Sequence, residues 1–143
     1  MLDADNGVYP DVLRRLVGAL DADPDAAFAY APIAVRRGKK FLSLSSARPW
    51  LPDQLRLGNY IDAMALVRTE VLREFGGWDP EMDGWEDFHL WARMAEEGLH
   101  AAFVPQVLSW YRTSSHSLSV QVSVDPVGMW SRIRAAAPTV MHE

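Results

Sequence analysis

Two pairs of acidic residues raise the question of chemistry in this chain. Asp3 and Asp5 stand one residue apart in Leu2-Asp3-Ala4-Asp5-Asn6-Gly7. Two hard oxygen donors at that spacing, in a loop leaving a strand, suit Mg²⁺ or Mn²⁺. Such ions take one or two protein carboxylates and complete their shell with water and phosphate oxygens. The spacing leaves a second reading open, a solvated loop leading into a helix. Asp21-Ala22-Asp23 and Asp23-Pro24-Asp25 repeat it nearby. An EF-hand is excluded for the first pair, because its sixth position is Val8 rather than Gly and its twelfth is Arg14 rather than Glu.

Glu86 and Asp87 are the second pair, preceded by Trp85 and, a few residues earlier, Trp78. An aromatic ring beside carboxylates suits a sugar, since the ring meets the pyranose face and the acid can take a hydroxyl proton as general base. Glu86 also reads as the partner of Asp83 in a capping box, and acids in a first helical turn suit the helix dipole. Arg112 could hold a diphosphate through paired N–H donors, and His116 could be a third metal ligand. Each alone is more often a surface residue. His89, one turn from Trp85, reads as a locally satisfied side chain. Arg36, Arg37, Lys39 and Lys40 read as a solvated hairpin turn.

Helices and strands must position these groups. Pro10 begins a helix in which Leu13, Leu16, Val17 and Leu20 form one apolar stripe, and Pro24 ends it. Residues 26–35 read as one apolar strand, with a short return strand at 41–44. Residues 45–60 carry Pro49, Trp50 and Pro52 without periodicity and read as a long loop. A strand at 63–67 leads to a short helix capped by Thr69 and stopped before Gly76-Gly77. The strongest helix spans 86–97, closed by Gly98, with Phe88, Trp91, Ala92 and Ala95 on one face. Extended segments follow at 100–104 and 107–111, then a polar loop at 113–119 and a helix at 127–136. Strands mixed with helices imply an α/β fold.

Composition bounds the answer. The 143 residues suit a single domain over 1–143. Zero cysteines exclude disulfides, thiolate metal sites and a catalytic thiol. With 14 Lys and Arg against 19 Asp and Glu, the formal net charge of −5 argues against a general nucleic-acid binder. No apolar run approaches a membrane span, and the acidic start does not read as a signal peptide. The expected location is cytoplasmic, with peripheral docking on a membrane left open.

Taken in order, these segments resemble the family 2 glycosyltransferases, which have the GT-A fold. Leu2-Asp3-Ala4-Asp5-Asn6, then Tyr9-Pro10 and an amphipathic helix, is similar to that family's DxD segment. Ala65-Leu66-Val67-Arg68, Val71-Leu72 and Phe75-Gly76-Gly77-Trp78-Asp79 resemble its acceptor-side segment. Gly84-Trp85-Glu86-Asp87-Phe88-His89-Leu90-Trp91-Ala92-Arg93 with Gly98 resembles its Glu-Asp helix. Val104-Pro105, Val107-Leu108 and Tyr111-Arg112 resemble the strand after it. The resemblance covers residues 1 to about 119. His89 stands where the family often has an acid. Ser114 stands where a His is frequent, so His116 is displaced from the usual position.

The resemblance implies metal-dependent, inverting transfer of a sugar from a nucleotide-sugar donor to a hydroxyl of a glycan, lipid or small-molecule acceptor. Asp3 and Asp5, with His116, would hold Mg²⁺ or Mn²⁺ on the donor diphosphate. Asp87 would be the general base and Glu86 its support. Trp85, Asn59, Tyr60 and Arg112 would bind substrate. In the family the nucleotide-binding strands precede the DxD segment, so the expectation is a partial GT-A mixed sheet with flanking helices, lacking those strands, and inactive alone if they are needed. Uncovered apolar edges would then favour homo-oligomers through the exposed sheet edge. The alternative is a non-catalytic carbohydrate- or protein-binding module on the same fold. A metal-dependent sugar-phosphate hydrolase is disfavoured, since nothing downstream resembles a phosphatase.

Overall fold

The computed structural model describes residues 6–82, 84–113 and 125–142. Asp3, Asp5, Asp83 and His116 lie outside them. The described elements are β1 (Gly7–Val8), α1 (Val12–Ala22), β2 (Phe28–Tyr30), β3 (Ile33–Arg37), β4 (Lys40–Ser45), a 3₁₀ helix (Pro52–Leu57), β5 (Leu66–Val67), α2 (Thr69–Glu74), α3 (Glu86–Glu96), β6 (Ala101–Phe103), β7 (Ser109–Arg112) and α4 (Pro126–Ala136).

The strands form two mixed sheets, ordered β1-β7-β3-β4 and β5-β2-β6. β2 runs parallel to β6 and β3 parallel to β7. Both β2→β3 and β6→β7 therefore cross from one sheet to the other side by side. The single strand expected over 26–35 is in fact these two, β2 and β3. The physical reason is Pro32, which has no N–H for a central ladder and breaks the strand at the crossing. The Leu108 N–H bonds the Pro32 carbonyl and the Val104 N–H bonds that of Tyr30, so the two crossings are tied together.

The larger core lies between the β5-β2-β6 sheet and α3, with α4 closing it. Trp91 is fully buried, stacks on Phe28 at 4.4 Å, and donates its indole N–H to the Ile61 carbonyl at 3.0 Å. A smaller core gathers Val12, Leu16 and Leu20 of α1 against Ala29 and Leu108. The expected stripe on α1 is half right. Leu16 and Leu20 are buried, but Leu13 and Val17 face solvent and Val12 takes the inner position. The Arg68 guanidinium clamps the C-terminal end of α1 by donating to the Leu20 and Ala26 carbonyls, both at 2.8 Å.

Several expected boundaries shift. The strand foreseen at 63–67 is only Leu66–Val67. Thr69 does not cap α2; Arg68 holds that position without a side-chain bond. The loop at 45–60 contains the 3₁₀ helix. Trp85, not an acid, precedes α3, also without a side-chain bond. The helix foreseen at 127–136 starts at Pro126, capped by Asp125, whose Oδ1 accepts the Gly128 N–H at 2.8 Å.

Candidate active site

Asp87 sits in the first turn of α3, where a carboxylate is favoured by the helix dipole. Trp85 precedes the helix and Phe88 follows, so the chain delivers an acid between two aromatic rings. Trp85 stacks with Phe88 at 6.0 Å, and Trp130 of α4 meets both edge-on, at 6.0 Å and 5.3 Å. These residues, with Gly58 and Asn59, line a cleft of about 260 Å³.

Asn59 reaches Asp87 from the loop after the 3₁₀ helix. Its Nδ2 donates to Asp87 Oδ2 at 3.1 Å, while its Oδ1 accepts the Ile61 N–H at 3.2 Å. The backbone bond fixes which end of the amide faces the acid. Gly58 before it has φ +134°, a conformation that side-chain-bearing residues avoid, and it turns Asn59 into the cleft. The Phe88 N–H donates to Asp87 Oδ1 at 2.6 Å.

Burial in this apolar cleft pushes the Asp87 carboxyl up to about 7, against the Phe88 N–H, which favours the charged form; the nearby charges of Asp62 and Glu86 push it further up, and the Asn59 amide opposes them. A carboxyl that titrates near neutrality is matched to accepting a proton there. His89 on the next positions is buried, which lowers its pKa, and its Nδ1 lies 3.7 Å from Asp79 Oδ2. That agrees with a locally satisfied residue.

A second cleft, of about 400 Å³, adjoins the first. It runs past Leu44, Arg48, Leu57 and Tyr60 and shares Gly58 and Asn59 with the Asp87 cleft. Tyr60 organises its wall. Its hydroxyl accepts the Leu51 N–H at 2.8 Å and donates to the Leu51 carbonyl at 3.1 Å. Burial raises the Tyr60 pKa, so the phenol stays protonated for that second bond.

The structure therefore brings together Asp87, Glu86, Trp85, Asn59 and Tyr60, separated by up to 28 residues in sequence. Arg112 is elsewhere, at the end of β7. Its backbone N–H bonds Asn6 Oδ1 at 3.0 Å and its guanidinium stacks on Trp110. Arg112 therefore lies beside Asn6 and outside the lining of the Asp87 cleft. Gly7 makes this corner possible, because a Cβ there would run into the Trp110 ring. Asp23, one of the repeated Asp spacings, is engaged otherwise, with Oδ2 2.9 Å from His100 Nε2. Trp130 was outside the expected site. Its segment carries no motif, and only the packing of α4 on α3 reveals it.

Among the described residues, no three His, Asp or Glu side chains gather as a metal site.

Residues 1–122 match the family model described as Glycosyl transferase family group 2. With this mixed α/β fold, the chain belongs to that family, whose general chemistry is sugar transfer. No curated protein matches the chain.

Proposed function

We propose that this chain catalyses inverting transfer of a sugar from a nucleotide-sugar donor to an acceptor hydroxyl, with Asp87 as general base. The observation that carries the reading is Asp87 itself: a carboxyl raised to about 7, walled by Trp85, Phe88 and Trp130, and aimed by Asn59. The Trp85 and Trp130 rings offer apolar faces to an acceptor sugar. Asp87 takes the proton from the acceptor hydroxyl. The acceptor oxygen then bonds the anomeric carbon as the bond from that carbon to the nucleoside diphosphate breaks on the opposite face. Glu86 supports the ionisation balance of Asp87 as a neighbouring charge.

In the same reading Asp3 and Asp5, with His116, hold Mg²⁺ or Mn²⁺ on the donor diphosphate, and Arg112 borders that diphosphate. The bound ion supplies Lewis-acid stabilisation of the departing nucleotide. Support for this part is the donor chemistry and the position of Arg112 beside Asn6.

The test is a panel of UDP-, GDP- and dTDP-sugars with Mn²⁺ or Mg²⁺, read by release of nucleoside diphosphate and by the anomeric NMR signal of the product. Asp87→Asn should lower turnover about 10²- to 10⁴-fold while the fold survives. Asp3→Asn/Asp5→Asn should abolish the metal-dependent thermal shift given by the matching nucleotide. Carbohydrate binding with no transfer under any pair, unchanged in Asp87→Asn, would instead favour a binding module.

A further inference from the structure

We propose that the β3–β4 hairpin and the 3₁₀ segment that follows form a docking face for a bilayer surface carrying anionic lipid. Charge is the first observation. Residues 36–57 hold six basic side chains against one acid, Asp53; Arg37, Lys39, Lys40, Arg48 and Arg56 are exposed, and Arg36 is half-buried and bonded to the Tyr9 hydroxyl. That is a local charge of +5 on a chain whose formal net charge is −5. The excess is confined to this stretch, so the rest of the molecule is strongly acidic and would be turned away from an anionic surface.

The second observation is exposed apolar surface in the same place. Among the described residues, five of the nine exposed large hydrophobics are Phe41, Leu42, Leu44, Leu51 and Leu57. Phe41 is 56% exposed, Leu44 48% and Leu57 72%. β4 is the outer strand of its sheet, with no strand along one edge, and its residues 40–44 are all exposed. The ladder pairs Ala34 with Leu44 and Arg36 with Phe41, passing over Leu42 at a bulge. Arg36, Phe41 and Leu44 consequently stand on one side of the sheet.

Basic side chains around protruding apolar ones are what an anionic interface takes up. Each Lys or Arg near such a surface strengthens binding about fivefold, and the apolar groups add their burial among the headgroups. Of the five apolar side chains only Phe41 is aromatic, so bases would find little to stack on, which disfavours a nucleic acid. A second copy of the chain is disfavoured by charge, since two such faces repel, and lysines on an edge strand oppose strand pairing. Leu44, Arg48 and Leu57 also line the cleft that meets the Asp87 cleft at Asn59. Docking would set the mouth of that cleft against the lipid. Docking needs only this surface, whatever the acceptor proves to be.

The test is vesicle co-sedimentation of the full chain, with phosphatidylcholine vesicles either pure or containing 30 mol% phosphatidylglycerol (about one lipid in three). Binding is expected only with phosphatidylglycerol, and it should weaken as salt rises from about 0.1 to 0.5 M. Lys39→Glu/Lys40→Glu should cost roughly 25-fold or more in partitioning, at about fivefold per basic residue. Phe41→Ser/Leu44→Ser should weaken binding at both salt concentrations. Arg14→Glu/Arg15→Glu on α1 makes the same change in net charge at exposed positions and should leave binding within about twofold. Circular dichroism of each variant separates lost binding from lost fold. Equal binding to both vesicles, no binding to either, or equal loss in the α1 control would overturn the proposal. So would light scattering that shows a dimer abolished by Phe41→Ser/Leu44→Ser, which would give the face to a second copy.

Discussion

Asn59 Nδ2 donates to Asp87 Oδ2 at 3.1 Å, and the other end of the same amide is held by the Ile61 N–H. The amide therefore cannot rotate to present its oxygen to the carboxylate without losing a backbone bond. A fixed donor favours the charged form of Asp87, against the burial that disfavours it.

Asn59→Ala removes that donor. The Asp87 pKa should rise above about 7, and the acidic limb of the kcat/KM profile for sugar transfer should move to higher pH. The loss of rate should be larger at pH 6 than at pH 9. A uniform loss across pH would mean that Asn59 binds substrate rather than tuning Asp87.

Asp62→Asn should do the reverse. The Asp62 charge raises the Asp87 pKa, so its removal lowers it, and the acidic limb should move to lower pH. The double variant Asn59→Ala/Asp62→Asn should fall between the two singles. Selective carboxyl NMR, with Asp87→Asn for assignment, would follow the same shifts without need of a substrate.

Stability carries the same signature. Asp87 titrates near 7 in the folded chain and near the ordinary value of about 3.9 when unfolded. Between those values the folded state binds more protons, so stability falls as pH rises. The contribution is full below about pH 4 and gone above about pH 7. Asp87→Asn lacks this loss. Its melting temperature relative to the unsubstituted chain should climb from pH 4 to pH 7 and level off beyond. A constant difference over that range would show that Asp87 is not raised.

Local pattern carried much of this architecture, and long-range packing carried the rest. The 3.6-residue spacing of Phe88, Trp91, Ala92 and Ala95 located α3, and Gly98 located its end, because one buried face leaves a period in the sequence. The acid-aromatic run at 85–87 likewise marked the cleft. Residues 26–35 misled, because an uninterrupted apolar run looks the same in one sheet or two, and only Pro32 hinted at the crossing. On α1, Leu13 and Val17 kept the period but not the burial. Period fixes which residues share a face, and the neighbouring sheet decides which part of that face is covered. Asn59 was legible as a pocket residue, but its bond to Asp87 depends on how a loop 28 residues away folds back. Trp130 had no local signal.

Trp91 links that loop to the helix that carries Asp87. It lies one turn after Asp87 on α3, and its indole N–H holds the Ile61 carbonyl at 3.0 Å. Ile61 in turn orients Asn59, which bonds Asp87. Two side chains of one helical face therefore grip the same three-residue segment. Trp91→Phe keeps an aromatic ring against Phe28 but removes the donor, leaving the Ile61 carbonyl without its bond. An abandoned buried acceptor costs about 1–3 kcal/mol, so the melting temperature should drop by roughly 3–10 °C. The folded remainder should also show the Asn59→Ala phenotype in weaker form, with the acidic limb displaced upward. A drop in melting temperature with an unmoved limb would show that Asn59 keeps its aim without the Trp91 bond.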